Sequence, residues 1–129
     1  MARRNSNGSP FSKTVLIVDD EADVLEIVSE MISDMGFQVK TAGSGEAAQH
    51  LIASTPVDLV ISDLNMRGID GMALARWARS RYPRLRLAMM TAFATDDLKM
   101  MLHQKMVDTL LLKPLNFGEL RGAVHHLMT

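Results

Sequence analysis

The chain has 129 residues and a formal net charge of −1, so its length allows one ordinary domain and its charge does not favour binding to nucleic acid or membranes. It contains no cysteine, which excludes disulfides and thiolate metal sites. No apolar run approaches the roughly 20 residues of a bilayer-spanning helix, and residues 1–12 lack the apolar core of a secretory signal, so we expect a soluble cytoplasmic protein.

The chain then alternates between short apolar runs and segments with helical periodicity. Residues 1–12 contain Asn, Ser, Gly and Pro with little to bury, which predicts a disordered tail ahead of one domain at residues 13–129. Five strand-like runs follow, each succeeded by an amphipathic segment. The predicted elements are strand 14–18, helix 21–35, strand 37–41, helix 44–53, strand 57–62, helix 72–80, strand 85–90, helix 95–106, strand 108–112 and helix 116–127.

Local signals set several of these boundaries. Gly36 is placed to end the first helix, and Pro56 and Pro83 stop the second and third. Ser44 is placed to cap the second helix, and Asn116, with an acid three residues later, resembles a capping box for the last. Strands that alternate with helices of this length favour parallel pairing. The sequence therefore predicts a three-layer α/β domain with helices on both faces of a five-stranded sheet.

Polar residues follow four of the predicted strands at the point where each strand ends. Asp19 and Asp20 follow the first strand and Asp63 the third. Thr91 follows the fourth strand, and Lys113 comes directly after three leucines in the fifth. The carboxyl ends of parallel strands share one edge of the sheet, which is where open α/β sheets bind ligands. Because crowded carboxylates repel one another without a cation among them, the pattern predicts a site for a divalent metal and a phosphoryl group.

These residues also resemble a known family. From about Lys13 to Leu127 the chain is similar to the receiver domain of bacterial two-component response regulators, including its chemotaxis members. The resemblance implies a flavodoxin-like (βα)5 fold with strand order 2-1-3-4-5. Each matching piece is weak alone, but all of them occur in order at strand ends. The pieces are Asp19-Asp20, Asp63 with Asn65, the following Gly68 and Asp70-Gly71, Thr91-Ala92, and Lys113-Pro114.

The resemblance implies a phosphoacceptor and a metal site. Asp63 would accept a phosphoryl group from a sensor histidine kinase or a phosphotransfer protein, forming an acyl phosphate. Asp20 and Asp63 would coordinate Mg²⁺ directly, with Asp19 acting mainly through water and the backbone carbonyl of Asn65 as a further ligand. From the residues alone, the acids after the first strand could equally cap the first helix.

The resemblance also implies a switch. Lys113 would contact a phosphoryl oxygen, and its bond to Pro114 would be cis. Thr91 would donate its hydroxyl to another phosphoryl oxygen, helped by the backbone amide of Ala92. The face made by the fourth helix, fifth strand and fifth helix would then change and regulate a partner or an output domain. The domain would catalyse only its own phosphorylation and dephosphorylation.

Three residues depart from the family pattern. Leu110 occupies the switch position, three residues before the lysine, where the family usually has Tyr or Phe. The switch is therefore expected to be weaker or to act through backbone movement alone. Phe93, two residues after the threonine, is expected to limit water access and slow hydrolysis of the acyl phosphate. Arg67 replaces a frequent proline in the phosphorylation loop.

Other readings of the sequence remain open. A degenerate receiver acting as a protein-interaction module is one, because Leu110 replaces the usual aromatic residue. A Mg²⁺-dependent aspartyl phosphohydrolase is less favoured, since Asn65 stands where such enzymes need a second acid. A nucleotide-binding flavodoxin-like protein is weaker still, because no glycine-rich loop follows the first strand. The sequence leaves open a stand-alone regulator or an excised domain, and a monomer or a phosphorylation-dependent dimer.

A basic run surrounds the third predicted helix. We interpret it as a solvated face, because few aromatic residues are interleaved with the arginines and a nucleic-acid interface normally has them. Its members are Arg76, Arg79, Arg81, Arg84 and Arg86.

Overall fold

The computed structural model describes residues 13–129, so the predicted tail at residues 1–12 lies outside the described part of the chain. Within it, strands and helices alternate as the sequence predicts. None of these helices is long and apolar enough to cross a bilayer. The elements are β1 (Thr14–Val18), α1 (Ala22–Asp34), β2 (Gln38–Ala42), α2 (Gly45–Ser54), β3 (Leu59–Asp63), α3 (Gly71–Arg81), β4 (Arg86–Thr91), α4 (Asp96–His103), β5 (Thr109–Leu112) and α5 (Phe117–Met128).

The strands form one parallel sheet in the order β2-β1-β3-β4-β5, which confirms the flavodoxin-like order. Every residue of β1 and β3 is buried, as expected for central strands covered on both faces. In β2, by contrast, Gln38 and Lys40 are exposed, because this strand lies at the sheet edge. The register pairs Val18 with Ser62 and Asp63 with Met90, so neighbouring strands end close to the same level.

Two hydrophobic clusters cover the two faces of the sheet. Alternate residues of β1 divide between them, since side chains along a strand point to opposite faces. Leu16 and Val18 pack with residues of α2, α3 and α4, whereas Val15 and Ile17 pack with residues of α1 and α5. Burying each such aliphatic side chain contributes about 1.5–3 kcal/mol. The predicted three-layer architecture is therefore confirmed.

Side-chain caps fix the beginnings of several helices. Ser44 Oγ accepts a hydrogen bond from the amide of Ala47 at 3.1 Å, and Asn116 Oδ1 accepts one from the amide of Glu119 at 3.0 Å. Each cap of this kind stabilises its helix by about 1 kcal/mol. Gly36 follows α1 with φ of 98°, a left-handed conformation that glycine adopts at little cost.

The end of α4 differs from the sequence-based expectation. The helix was predicted to continue to Met106 but ends at His103. Lys105 lies in the left-handed region with φ of 61°, and the amide of Met106 donates to the carbonyl of Met101 at 2.7 Å. This closing turn takes the chain out of the helix. The apolar periodicity continues through it, so the pattern alone overestimated the length of α4.

Candidate functional site

The polar residues predicted to gather lie together at the carboxyl edge of the sheet. Asp63 and Thr91 are the last residues of β3 and β4, while Asp19 and Lys113 directly follow β1 and β5. Backbone hydrogen bonds hold these positions beyond the ends of the strands. The amide of Asp19 donates to Ala42 at 3.1 Å, and the amide of Lys113 donates to Thr91 at 2.8 Å. These bonds anchor both residues to the neighbouring strands.

Three carboxylates form the centre of this edge. Asp19, Asp20 and Asp63 each offer an oxygen atom, and these atoms lie within 4.8 Å of one another. Asp19 is fully buried and Asp63 is 5% exposed, whereas Asp20 is exposed. Such a group of carboxylates carries strong mutual repulsion unless positive charge is placed among them.

Asp19 is the least satisfied of the three acids. Its Oδ1 atom accepts a hydrogen bond from the amide of Glu21 at 2.9 Å, close to the start of α1. Its Oδ2 atom is buried without any hydrogen bond. Burial raises the pKa of Asp19 above its ordinary value, and the nearby charge of Asp63 raises it further, while the Glu21 amide and Lys113 offset only part of this. This buried oxygen, which accepts no hydrogen bond, is available to a cation.

Lys113 is shared between two acids. Its Nζ atom lies 3.1 Å from Asp63 Oδ1 and 3.5 Å from Asp19 Oδ2. Burial acts to lower the pKa of the Lys113 ammonium, but the hydrogen bond to Asp63 and the charges of both acids outweigh it, so the pKa is raised. One ammonium cannot neutralise three carboxylates. The excess negative charge and the oxygen-only donor set fit a hard divalent cation such as Mg²⁺.

Thr91 is held by the loop that follows β4. The side chain is buried; its hydroxyl donates to the carbonyl of Phe93 at 2.9 Å and accepts from the amide of the same residue at 3.2 Å. Ala92 is exposed, and the ring of Phe93 is 78% exposed. The Thr91 hydroxyl can reach a new acceptor only by releasing the Phe93 carbonyl.

Asn65 lies in the loop that follows β3, two residues after Asp63, and its side chain is exposed. The loop closes where the amide of Gly71 donates to the carbonyl of Leu64 at 2.9 Å. A Cβ atom on Gly71 would lie 2.5 Å from the carbonyl oxygen of Asp63, so no larger residue fits without moving the end of β3. Sequence reasoning included Gly71 in the motif but gave it no physical role.

The remaining predicted positions lie along β5 and just beyond it. Leu110 pairs with Met89 of β4 and is half-buried against the cluster that contains α4. The peptide bond between Lys113 and Pro114 is cis.

Comparison with known proteins agrees with this geometry. Residues 15–125 match the response regulator receiver domain family, so the chain belongs to that family. The response regulator protein PilR of Pseudomonas aeruginosa is 30% identical over 109 residues, which cover 84% of this chain and 24% of that protein. The sensor histidine kinase GacS of Pseudomonas protegens is 34% identical over 115 residues, covering 85% of this chain and 12% of the kinase. The chain thus spans a quarter or less of the length of these curated relatives.

Solved structures show the same fold. The chemotaxis protein CheY4 of Vibrio cholerae superposes with a TM-score of 0.82 at 27% identity, covering 89% of this chain and 98% of that one. The response regulator TrrA of Thermotoga maritima, solved in complex with Mg(2+)-BeF, gives a TM-score of 0.79 at 32% identity with the same coverages. The recognition of a two-component receiver domain from the strand-end residues is therefore confirmed.

Proposed function

We propose that residues 13–129 form a cytoplasmic phospho-accepting switch in which Asp63 receives a phosphoryl group from a sensor histidine kinase or phosphotransfer protein. The observation that carries this proposal is the contact of 3.1 Å between Lys113 Nζ and Asp63 Oδ1 beside two further acids. A reachable carboxylate beside a single ammonium and a candidate cation site has the groups that acyl-phosphate formation requires.

The metal would be held by the side chains of Asp19, Asp20 and Asp63 and the backbone carbonyl of Asn65. Bound Mg²⁺ supplies positive charge that offsets the carboxylates and the phosphoryl oxygens. The buried Oδ2 atom of Asp19, which has no hydrogen bond, supports this assignment.

The transfer step needs little else from the protein. A carboxylate oxygen of Asp63 forms a bond to phosphorus as the phosphorus–nitrogen bond of the donor phosphohistidine breaks, and the imidazole leaves with the electron pair. Lys113 exchanges its contact with Asp63 for one with a phosphoryl oxygen, where opposite charges attract. The amide of Ala92, an exposed residue directly after β4, would donate to another phosphoryl oxygen. The reaction is confined to the domain's own phosphorylation and dephosphorylation.

The output follows from Thr91. A phosphoryl group on Asp63 adds strong acceptor oxygens, and the Thr91 hydroxyl would leave the Phe93 carbonyl for one of them. The loop before α4 would then move, and with it the face formed by α4, β5 and α5. Leu110 at the switch position would transmit the movement of Thr91 to this face less strongly than an aromatic ring. The face would regulate a partner protein or an output domain, acting as a monomer or as a phosphorylation-dependent dimer.

The test is the intact mass of the protein after treatment with acetyl phosphate, with and without Mg²⁺. We expect a metal-dependent gain of one phosphoryl group, lost in Asp63→Asn and retained in Asp34→Asn, an exposed acid at the end of α1. Hydroxylamine should remove the group, as it cleaves acyl phosphates. No gain in mass would favour the degenerate receiver, and release of phosphate at many turnovers per minute would favour a phosphohydrolase.

A further inference from the structure

We infer that the edge of the sheet opposite the acid cluster is a docking site for an acidic peptide segment of a partner protein, anchored by one apolar side chain. The inference does not depend on phosphorylation. It rests on a cavity, a set of cations around it and an aromatic stack that holds one of those cations in place.

The cavity lies between the end of α2 and the end of α3, where β3 and β4 begin. Its volume is about 520 Å³, within the range of pockets that take small ligands or side chains. Ile52 and Leu85 provide a buried apolar floor, and Pro56, Val57 and Pro83 add further apolar wall. The cavity is therefore suited to an apolar or aromatic side chain.

Cations surround this cavity. Arg81 and Arg84 line it, and Arg84 also lines an adjoining cavity of about 200 Å³ together with Lys13 and Arg86. Asp58, the acid common to both cavities, already accepts a hydrogen bond from the amide of Thr14 at 2.9 Å. Two of these four cations already have partners: Arg86 lies 3.7 Å from Asp108, and Lys13 donates to the carbonyl of Met128 at 2.7 Å. Arg81 and Arg84 therefore supply the positive field that an incoming carboxylate meets.

Arg79 explains why its neighbours remain available. Its Nη1 atom donates to the carbonyls of Pro83 and Leu85, both at 2.8 Å, and its Nη2 atom contacts Asp108 at 3.1 Å. Arg79 alone thus provides hydrogen-bond donors to two backbone carbonyls in the connection between α3 and β4. Within residues 13–129, Arg84 forms no ion pair and takes no part in the Arg79 network. Its guanidinium is therefore free to bind a carboxylate of a partner.

Arg81 is held ready by aromatic side chains. Its guanidinium carbon lies 5.5 Å from the centre of the Trp77 ring, a favourable cation–π distance. Trp77 in turn packs against Tyr82, with ring centres 5.8 Å apart. Holding a long side chain in place before binding reduces the entropy lost when a ligand arrives.

The shape of the surface favours a peptide over nucleic acid. Single-stranded nucleic acid is bound by exposed aromatic faces along a basic groove, whereas here Arg81 lies against the Trp77 ring and the apolar surface is recessed. The net charge of the chain is also −1, which opposes general binding to polyanions. An acidic segment with one bulky apolar residue satisfies both the cations and the cavity.

Trp77 is the only tryptophan in the chain, and it contacts Arg81 and Tyr82, which line the cavity. Its fluorescence is therefore expected to respond when a ligand engages Arg81. The probe is an acetylated peptide of glutamate and serine with one central phenylalanine, titrated into the intact chain. We expect saturable change in fluorescence with a Kd of about 100 µM, weakening as salt is raised. The double variant Arg81→Glu/Arg84→Glu should weaken binding at least about tenfold, and the milder Arg84→Gln should weaken it about threefold if the double variant unfolds.

The matched control is Arg76→Glu, which changes the charge of α3 at an exposed position outside the cavities. It should alter binding less than about twofold. Equal weakening by this control, or no saturable binding by the wild type, would overturn the proposal. So would tighter binding of an oligothymidylate with the same dependence on Arg84, or unchanged peptide binding by a folded double variant. A peptide with alanine in place of phenylalanine must bind more weakly for the cavity to be the anchor.

Discussion

The two edges of the sheet use the same residue types in opposite ways. At the carboxyl edge, Asp19, Asp20 and Asp63 share the single ammonium of Lys113, and one buried oxygen has no hydrogen bond. At the amino edge, Asp108 Oδ2 accepts from the amide of Leu87 at 2.8 Å and lies 3.1 Å from the Arg79 guanidinium.

The two acids, Asp108 and Asp19, differ in how well the surrounding fold balances their charge. Asp108 links β4 to the start of β5, and Arg79 balances its charge. Its burial therefore carries a small desolvation penalty, and its bonds stabilise the fold. Asp19 is buried more deeply, and its negative charge is compensated less completely. Its burial therefore lowers the stability of the folded state. A buried acid that destabilises the fold is expected at a binding site, where a ligand supplies the compensating positive charge.

The largest effect is expected at the amino edge. Asp108→Ala should lower the free energy of unfolding by about 3 kcal/mol, because it removes the acceptor of the Leu87 amide and the carboxylate that balances the Arg79 charge. Urea unfolding followed by circular dichroism measures this. Asp34→Ala, which removes an exposed acid from the end of α1, should change stability by less than about 0.5 kcal/mol. If Asp108→Ala lowers the free energy of unfolding by less than about 1 kcal/mol, Asp108 is not the stabilising acid that distinguishes the amino edge from the carboxyl edge.

At the carboxyl edge, the missing charge should come from the metal. At a Mg²⁺ concentration 100 times the Kd, the wild type should gain about 2.7 kcal/mol of stability. Asp63→Asn should gain much less, since it removes one of the three carboxylates. Thermal unfolding with and without excess chelator gives both values. Equal gains in the two proteins would place the cation elsewhere.

Without metal, removing the charge of Asp19 should help the fold. Asp19→Asn should stabilise the metal-free protein at neutral pH by about 1 kcal/mol, because a buried carboxylate oxygen without a hydrogen bond is costly. The raised pKa of Asp19 means that the folded state takes up its proton before the unfolded state does. Stability from this group therefore increases as pH falls through the folded pKa towards the ordinary value of 3.8.

The difference in stability between Asp19→Asn and the wild type should accordingly shrink as pH falls from neutral to about 4. Paired unfolding curves across this range, in the presence of chelator, test the sign. A difference that grows on acidification would show that the carboxylate stabilises the folded state.

The smallest effect concerns the mouth of the carboxyl edge. Phe93→Ala should speed hydrolysis of the acyl phosphate by about threefold, because the ring restricts the approach of water. Phosphoryl loss is followed by intact mass after removal of the donor. Phe117→Ala, which removes another exposed ring at the start of α5, should leave the rate unchanged. An unchanged rate in Phe93→Ala would assign the ring to another role, such as partner contact.

The sequence predicted the fold and the gathering of residues at the carboxyl edge because both follow from local pattern. An apolar run that ends on an acid is visible without coordinates, and parallel strands bring such ends together. The amino edge was not predicted. The bond between Arg79 and Asp108 joins residues 29 positions apart, and the basic run that contains Arg79 is interpreted from sequence only as a solvated face. The end of α4 was missed for a related reason, since the left-handed Lys105 has no signal in its residue type.

The network around Arg79 has a consequence for how α4 can move. Its Nε atom donates to the carbonyl of Met106 at 3.3 Å, just beyond the last turn of that helix. The other end of α4 follows the loop that carries Phe93; Leu98 packs in the core there, but the described residues show only local hydrogen bonds at this end. We expect a displacement that starts beside Thr91 to tilt the helix about a pivot near Met106 instead of sliding it along the sheet. The largest excursion would then fall on its first turn.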